Sequence, residues 1–208
     1  VSLPGVALTR EAVEADWARQ ATVRFVAREA TLETDAEGGC DGVISGTWGF
    51  HTACEPMPWW QVDLGGSVAV GRLRIYNRCD GGMEARAARL RILFSEDGVA
   101  FRQVYEHDGT PFLGKTDNRP LEIALPGEAA RFVRIQLPGT EYLHLDEVEV
   151  YAAGSEENGA RGKRATQSSL SAWSVAHGPG DGAVMGLDAL VRRGRALLED
   201  LRGAGRAG

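Results

Sequence analysis

Pro58-Trp59-Trp60-Gln61-Val62-Asp63-Leu64-Gly65 decides how this chain folds. Two adjacent tryptophans lead into an alternating segment, with Val62 and Leu64 apolar and Gln61 and Asp63 polar between them. A period of two places successive side chains on opposite faces of a strand, so one tryptophan of the pair is expected in a core and the other against the loops. Asp63-Leu64-Gly65-Gly66 then supplies a turn signal. Far downstream, Tyr142-Leu143-His144-Leu145-Asp146-Glu147-Val148-Glu149-Val150-Tyr151 alternates again, with acids between its valines. The two segments bracket one β module.

Between them the same pattern recurs. Gly71-Arg72-Leu73-Arg74-Ile75-Tyr76, Arg89-Leu90-Arg91-Ile92-Leu93-Phe94 and Arg131-Phe132-Val133-Arg134-Ile135-Gln136-Leu137 each carry an aliphatic face and a largely arginine face. Glu96-Asp97-Gly98 is a further turn. Short strands at this spacing, without helices between them, predict an all-β fold, an antiparallel sandwich or jelly roll. Its core is expected from Val62, Leu64, Leu73, Ile75, Leu90, Ile92, Phe94, Val133, Ile135, Val148 and Val150. Residues 30–152 form this module. Residues 1–29 read as a helical lead-in: Thr9 is a fitting N-cap, and a helix runs to about Phe25. Residues 153–182 read as a small, polar linker. Residues 183–208 carry leucines and valines at helical spacing, an amphipathic helix closed by Gly203 and Gly205.

Composition narrows the function. The 208 residues are 43% hydrophobic and 25% charged, as in soluble globular domains, with a net charge of −6. That balance argues against nucleic acid, since phosphate binding needs a surplus of lysine and arginine on one face. No apolar run is long enough to span a membrane. The chain opens at Val1 without an initiator Met or a signal-like stretch and is expected to be processed or excised, which leaves the compartment undetermined. Cys40, Cys54 and Cys79 allow one disulfide and a free thiol or three thiols, with thiols favoured. The histidines, His51, His107, His144 and His177, fall in no nucleophile-elbow or metalloprotease context, and no glycine pair opens a phosphate loop. The chain is not read as an enzyme.

The ordered segments Asp41-Gly42-Val43, Trp48-Gly49-Phe50-His51-Thr52, Pro58 to Gly65, Ile75 to Asp80, Ser95 to Gly98, Ala130 to Leu137 and Leu145 to Tyr151 resemble the discoidin, or coagulation-factor C-type, domain family. Within it they are most similar to the fucose-binding (F-type) lectin branch. The resemblance covers about residues 30–152 and implies an eight-stranded jelly-roll β-sandwich with a structural calcium ion and a ligand site on loops at one end. Asn158 to Ser169, ending Ala165-Thr166-Gln167-Ser168-Ser169, resembles the opening of a second such module. The family's use of these modules implies a larger parent, a bacterial carbohydrate-active protein such as a glycosyltransferase or glycosidase, with further domains beyond the linker.

Asp41, Thr52 and Glu147 are oxygen donors from distant segments, and calcium takes six to eight oxygens, many from backbone carbonyls. Carried over from the family, the calcium ligands are the side chains of Asp41, Thr52 and Glu147 and the carbonyls of Gly38, Val43 and Asp146. His51, Arg78, Asp80 and Arg86 form a second constellation, with arginines presenting a planar donor fork that suits sugar hydroxyls. F-type lectins use a histidine followed by an Arg-x-Asp-spacer-Arg motif. Arg78-Cys79-Asp80 fits its first half; His51 lies slightly further upstream than usual, and Arg86 sits one place late, with Ala85 where it is expected. Asp80 is expected to orient Arg78, while Phe50 or Trp48 supplies the apolar wall. Carbohydrate is thus the expected partner. The alternatives are a protein-interaction or lipid-binding module and an architectural domain with a vestigial site. Lipid is disfavoured because the loop from Phe50 to Trp59 carries Glu55 and no lysine.

Overall fold

The computed structural model describes residues 29–177, so the helices expected over Thr9 to Phe25 and over 183–208 lie outside the described residues. A short helix α1 (Leu32–Ala36) and a 3-10 turn (Glu37–Gly39) precede ten strands. These are β1 (Phe50–His51), β2 (Glu55–Pro56), β3 (Trp59–Tyr76), β4 (Arg91–Ser95), β5 (Arg102–Glu106), β6 (Leu121–Gln136), β7 (Thr140–Glu141), β8 (His144–Leu145), β9 (Glu147–Ala152) and β10 (Arg164–Gln167). A second 3-10 turn, Glu84–Ala87, separates β3 from β4.

β3 and β6 pair antiparallel over most of their length, and the register breaks between Asp63 and Val68 and again between Val70 and Arg72. Gly65, inside the first break, has φ 85°, and Gly127, in the segment skipped by the second, has φ 87°. Only glycine takes that left-handed backbone without strain, so the two bulges sit where glycine allows them. On one side of the breaks, β3 pairs β10 and β6 continues the sheet through β4 to β5. On the other side, β3 pairs β9. Each long strand therefore serves two layers, which is how a β-sandwich arises here. The expected count of eight strands does not map onto the ten observed, because β1 with β8 and β2 with β7 are separate two-residue pairs.

All eleven expected core residues are buried. Trp60 joins them: it stacks on Phe50 with centroids 5.5 Å apart and donates its indole N–H to the Ala36 carbonyl at 2.8 Å. Trp59 faces the other way, as alternation requires, but it lies under the Arg134 guanidinium on the outer sheet face rather than against the loops. The arginine faces are also used. Arg131 makes two 2.8 Å bonds to Asp63, and Arg134 bonds Gln61 and lies 3.7 Å from the Phe101 ring centre.

The segment expected as a linker is part of this module in the structure. Ala165 pairs with Val62 and Gln167 with Trp60, so the Ala-Thr-Gln-Ser-Ser phrase is an edge strand of the first module's own sheet. Ala165 and Gln167 are both buried, and a segment that buries alternate side chains cannot also be a solvated tether. The chain then stays on the module to His177, held by Val175 N–H to the buried Asp35 carboxylate at 2.7 Å and His177 N–H to the Thr34 carbonyl at 2.7 Å. The cysteines are thiols, Cys40 buried and Cys54 exposed.

Candidate functional site

Two strands of two residues position the first cluster. β1 pairs β8 with Phe50 opposite Leu145 and His51 opposite His144, which sets the two imidazoles 5.0 Å apart. Neighbours on a strand point to opposite faces, so His51 turns toward the loops while Phe50 turns into the core. Arg78 follows the end of β3, in a loop held by the buried Asn77, whose side-chain amide donates to the Glu84 and Phe112 carbonyls at 2.9 Å. Asp80 accepts from the Arg78 Nε at 2.5 Å and from Nη2 at 3.2 Å, a two-point grip that fixes the guanidinium plane. Arg86 arrives from the 3-10 turn. It lies 3.4 Å from His144 Nε2 and 3.3 Å from the Glu141 carboxylate, with its guanidinium 5.0 Å from the Tyr142 ring centre.

The chemistry of His51 follows from one bond. Its Nδ1 lies 2.8 Å from the Thr52 carbonyl oxygen, which can only accept. Nδ1 therefore carries the proton and Nε2 is left with a lone pair. Burial holds the imidazole's pKa below its usual value, and Arg78 and Arg86 push it in the same direction, so the ring is neutral. His144 is driven down further, to about 3, by burial and then by His51, Arg78 and Arg86. Both imidazoles are thus neutral; His144 Nε2 already faces Arg86, which leaves His51 Nε2 as the acceptor beside two permanent donor forks. Aromatic rings close in on it: Trp48, Tyr142 and Trp173 have their centroids 6.0, 5.5 and 5.1 Å from that of His51.

A second corner lies where the first long loop meets β9. Glu147 is fully buried, and its Oε1 accepts from the Gly42 N–H at 3.1 Å while Oε2 has no partner among the described residues. Burial first and Asp41 second push its carboxyl up to about 9. Asp41 is also raised by burial, and its Oδ2 lies 3.7 Å from His177 Nδ1. Asp146 turns its carboxylate onto the Ser45 and Gly46 N–H groups, at 3.0 and 2.7 Å. Its carbonyl and that of Gly38 converge on the bare Cα of Gly49, in space that a Cβ there would occupy.

The family model for the F5/8 type C domain matches residues 26–148. This chain belongs to that family. Fucolectin-6 of Anguilla japonica is 34% identical over 102 residues, 49% of this chain and 53% of the relative, so the chain spans about half the length of the curated relative it matches. Among solved structures, the lectin domain of lectinolysin complexed with Lewis B antigen is 27% identical, covering 60% of this chain and 89% of that one, with a TM-score of 0.47. A Streptococcus pneumoniae fucose binding module is 26% identical, covering 60% and 90%, with a TM-score of 0.49. A fucolectin from Morone saxatilis (striped bass) serum is 30% identical, covering 61% and 46%, with a TM-score of 0.49.

In this F5/8 type C module, contacts link His51, Arg78, Asp80, Arg86 and Trp48 into one cluster. The late position of Arg86 is absorbed by the 3-10 turn, which leaves Ala85 exposed and swings Arg86 onto His144. Phe50 is the correction. With no exposed surface and its ring on Trp60, it belongs to the core and cannot form a ligand wall. Trp48 stays in the cluster, with one face covered by Arg78 at 4.5 Å. Sequence reasoning missed Tyr142, His144 and Trp173 as site residues. The pairing of the short strands brings in the first two, and the fold of the supposed linker brings in the third. A cleft of about 310 Å³ at the bend, lined by Arg72, Pro126, Gly127 and Ala153, lies elsewhere, and its one arginine is paired with Glu156 at 2.8 Å.

Of the six residues carried over as calcium ligands, Asp41 and Glu147 act on each other at the second corner, and the carbonyls of Gly38 and Asp146 converge on Gly49. Thr52 is tied into the framework: its hydroxyl accepts from Leu143 N–H at 2.9 Å and donates to the Ala53 carbonyl at 3.0 Å. Val43 is exposed, and its N–H donates to Asp41 Oδ1 at 2.7 Å.

Proposed function

We propose that this module binds carbohydrate at the pocket of His51, Arg78 and Arg86, that its sugar is of the fucose type, and that a calcium ion stabilises the fold at the corner of Asp41 and Glu147. The observation that carries the sugar reading is the neutral His51 acceptor set beside two guanidinium forks under a ring of aromatics. A sugar hydroxyl both donates and accepts. It can give its proton to His51 Nε2 while its oxygen receives an Arg78 or Arg86 N–H. Asp80 and Glu141 hold the two guanidiniums in place beforehand, which limits the entropy lost on binding. Likeness to Fucolectin-6 supports a fucose-type sugar.

The residues at the second corner fit a hard divalent cation. A buried carboxylate with an idle oxygen and a second carboxylate raising it form an anionic pair that His177 and Arg161, both acting on Asp41, leave incompletely partnered. Asp41 and Glu147 would supply charge, and the carbonyls of Gly38 and Asp146 would supply neutral oxygens. The ion's contribution there is charge neutralisation, and so stability rather than contact with sugar. The larger carbohydrate-active parent belongs to this same proposal.

A glycan array probed with the chain in calcium and in chelator, then with Arg78→Ala, tests the function. Binding to fucosylated glycans that falls about 100-fold in the variant is expected. An array silent in calcium, with the fold intact, leaves an architectural domain instead.

A further inference from the structure

Three aromatic side chains surround His51, and two of them already carry a cation on their faces. Arg78 lies 4.5 Å from the Trp48 ring centre, and Arg86 lies 5.0 Å from that of Tyr142. Among the described residues, no guanidinium covers Trp173. Its side chain is also the odd one out in exposure: Trp173 is 50% exposed, in a structure that buries Trp60 completely. An indole left half in water costs hydrophobic free energy unless something else covers it.

The backbone under Trp173 is not loose. Its own carbonyl accepts the Trp48 indole N–H at 3.1 Å, and the Ser174 hydroxyl donates to the His51 carbonyl at 2.8 Å. One residue further, Val175 N–H reaches Asp35, a fully buried carboxylate that also accepts from His51 N–H at 3.0 Å and from the Gln167 amide at 2.8 Å. The same carboxylate thus fixes the strand that presents His51 and the segment that presents Trp173. The indole is held 5.1 Å from the imidazole and 5.8 Å from the Tyr142 ring, edge-on to the latter. A flat apolar surface fixed next to a set of hydroxyl-binding groups matches the two sides of a pyranose, one face of C–H groups and a rim of hydroxyls.

We propose that Trp173, which lies beyond the residues matched by the family model, is the platform on which the apolar face of the sugar packs in the His51 pocket. This rests on the carbohydrate reading of that pocket. Phe50, the aromatic that the sequence offered for this duty, is in the core, and Trp173 takes its place from the far side of β10.

The test uses the whole chain with methyl α-L-fucoside and methyl β-D-galactoside as probes, titrated calorimetrically and by tryptophan emission. Trp173→Ala is expected to weaken binding of the accepted sugar about tenfold, and Trp173→Phe to stay within about threefold of wild type. The sugar-induced change in emission is expected in wild type and reduced to the share of Trp48 in Trp173→Phe, while a purely structural role leaves it undiminished. Should Trp173→Ala unfold, the Phe variant and its emission decide the matter. Unchanged or tighter binding by Trp173→Ala, with binding still lost in Arg78→Ala, overturns the platform and leaves the sugar pocket standing. Wild type that binds neither glycoside overturns both.

Discussion

Around Arg78 and Arg86 each guanidinium faces a carboxylate, Asp80 and Glu141, whereas around Glu147 carboxylates crowd one another. The first corner is balanced before any ligand arrives, so it can bind without rearranging. The second is not: Glu147 is pushed up to about 9 and Asp41 is raised by burial as well. His177 and Arg161 act on Asp41, but Glu147 Oε2 has no partner among the described residues, and the proposed divalent cation would offset the cost of its burial. Under the proposed function, recognition belongs to one corner and stability to the other. Their independence can be tested.

The largest effect is expected from Gly49→Ala. A Cβ there overlaps the Gly38 and Asp146 carbonyls, and neither is a flexible side chain that can give way. Destabilisation of about 3 kcal/mol or more is expected, with the melting temperature down by roughly 10 °C. Next comes calcium itself. At about 100-fold excess over its dissociation constant it should add about 2.7 kcal/mol, seen as a higher melting temperature that chelator reverses. Glu147→Gln should lose that calcium response while keeping Arg78 and His51 in place; a full response in the variant would place the ion elsewhere. Arg86→Ala is expected to weaken sugar binding about tenfold and shift the melting temperature by only a few degrees, since Arg86 is half-buried and its partner Glu141 reaches water.

The smallest effect provides a control. Asp63 is held below the usual carboxylate range by its bonds to Arg131, and its carboxylate bonds Arg131 and Gly65 rather than a residue of either corner. Its folded-state pKa is lowered, so the stabilisation is present at neutral pH and disappears as pH falls through that depressed value. Asp63→Asn should lower the melting temperature at pH 7 by about 2 °C or less, and the gap should close in acid.

Much of the framework was legible because alternation is local. The buried set from Val62 to Val150 follows from period two, and so does the inward turn of Trp60. Arg78 and Asp80 were legible together because two residues suffice to close their ion pair. Phe50 was misplaced by disregarding that same alternation: beside a site-facing His51, a strand neighbour must point inward. Trp59 was misplaced for a different reason, since its partner Arg134 arrives from another strand. The shifted Arg86 looked like a defect in the motif, yet a single 3-10 turn restores its reach to His144.

By itself the sequence determined the long alternating segments and their buried faces, because period two depends on side chains a few positions apart, and the ordered motifs carried the family. Tertiary structure alone decided that Ala165 to Gln167 is a strand of this sheet and that Tyr142, His144 and Trp173 ring His51. Those contacts join segments separated by most of the module. Edge pairing also depends on which backbone N–H and C=O groups β3 leaves open, and that is settled only once the rest of the sheet has formed.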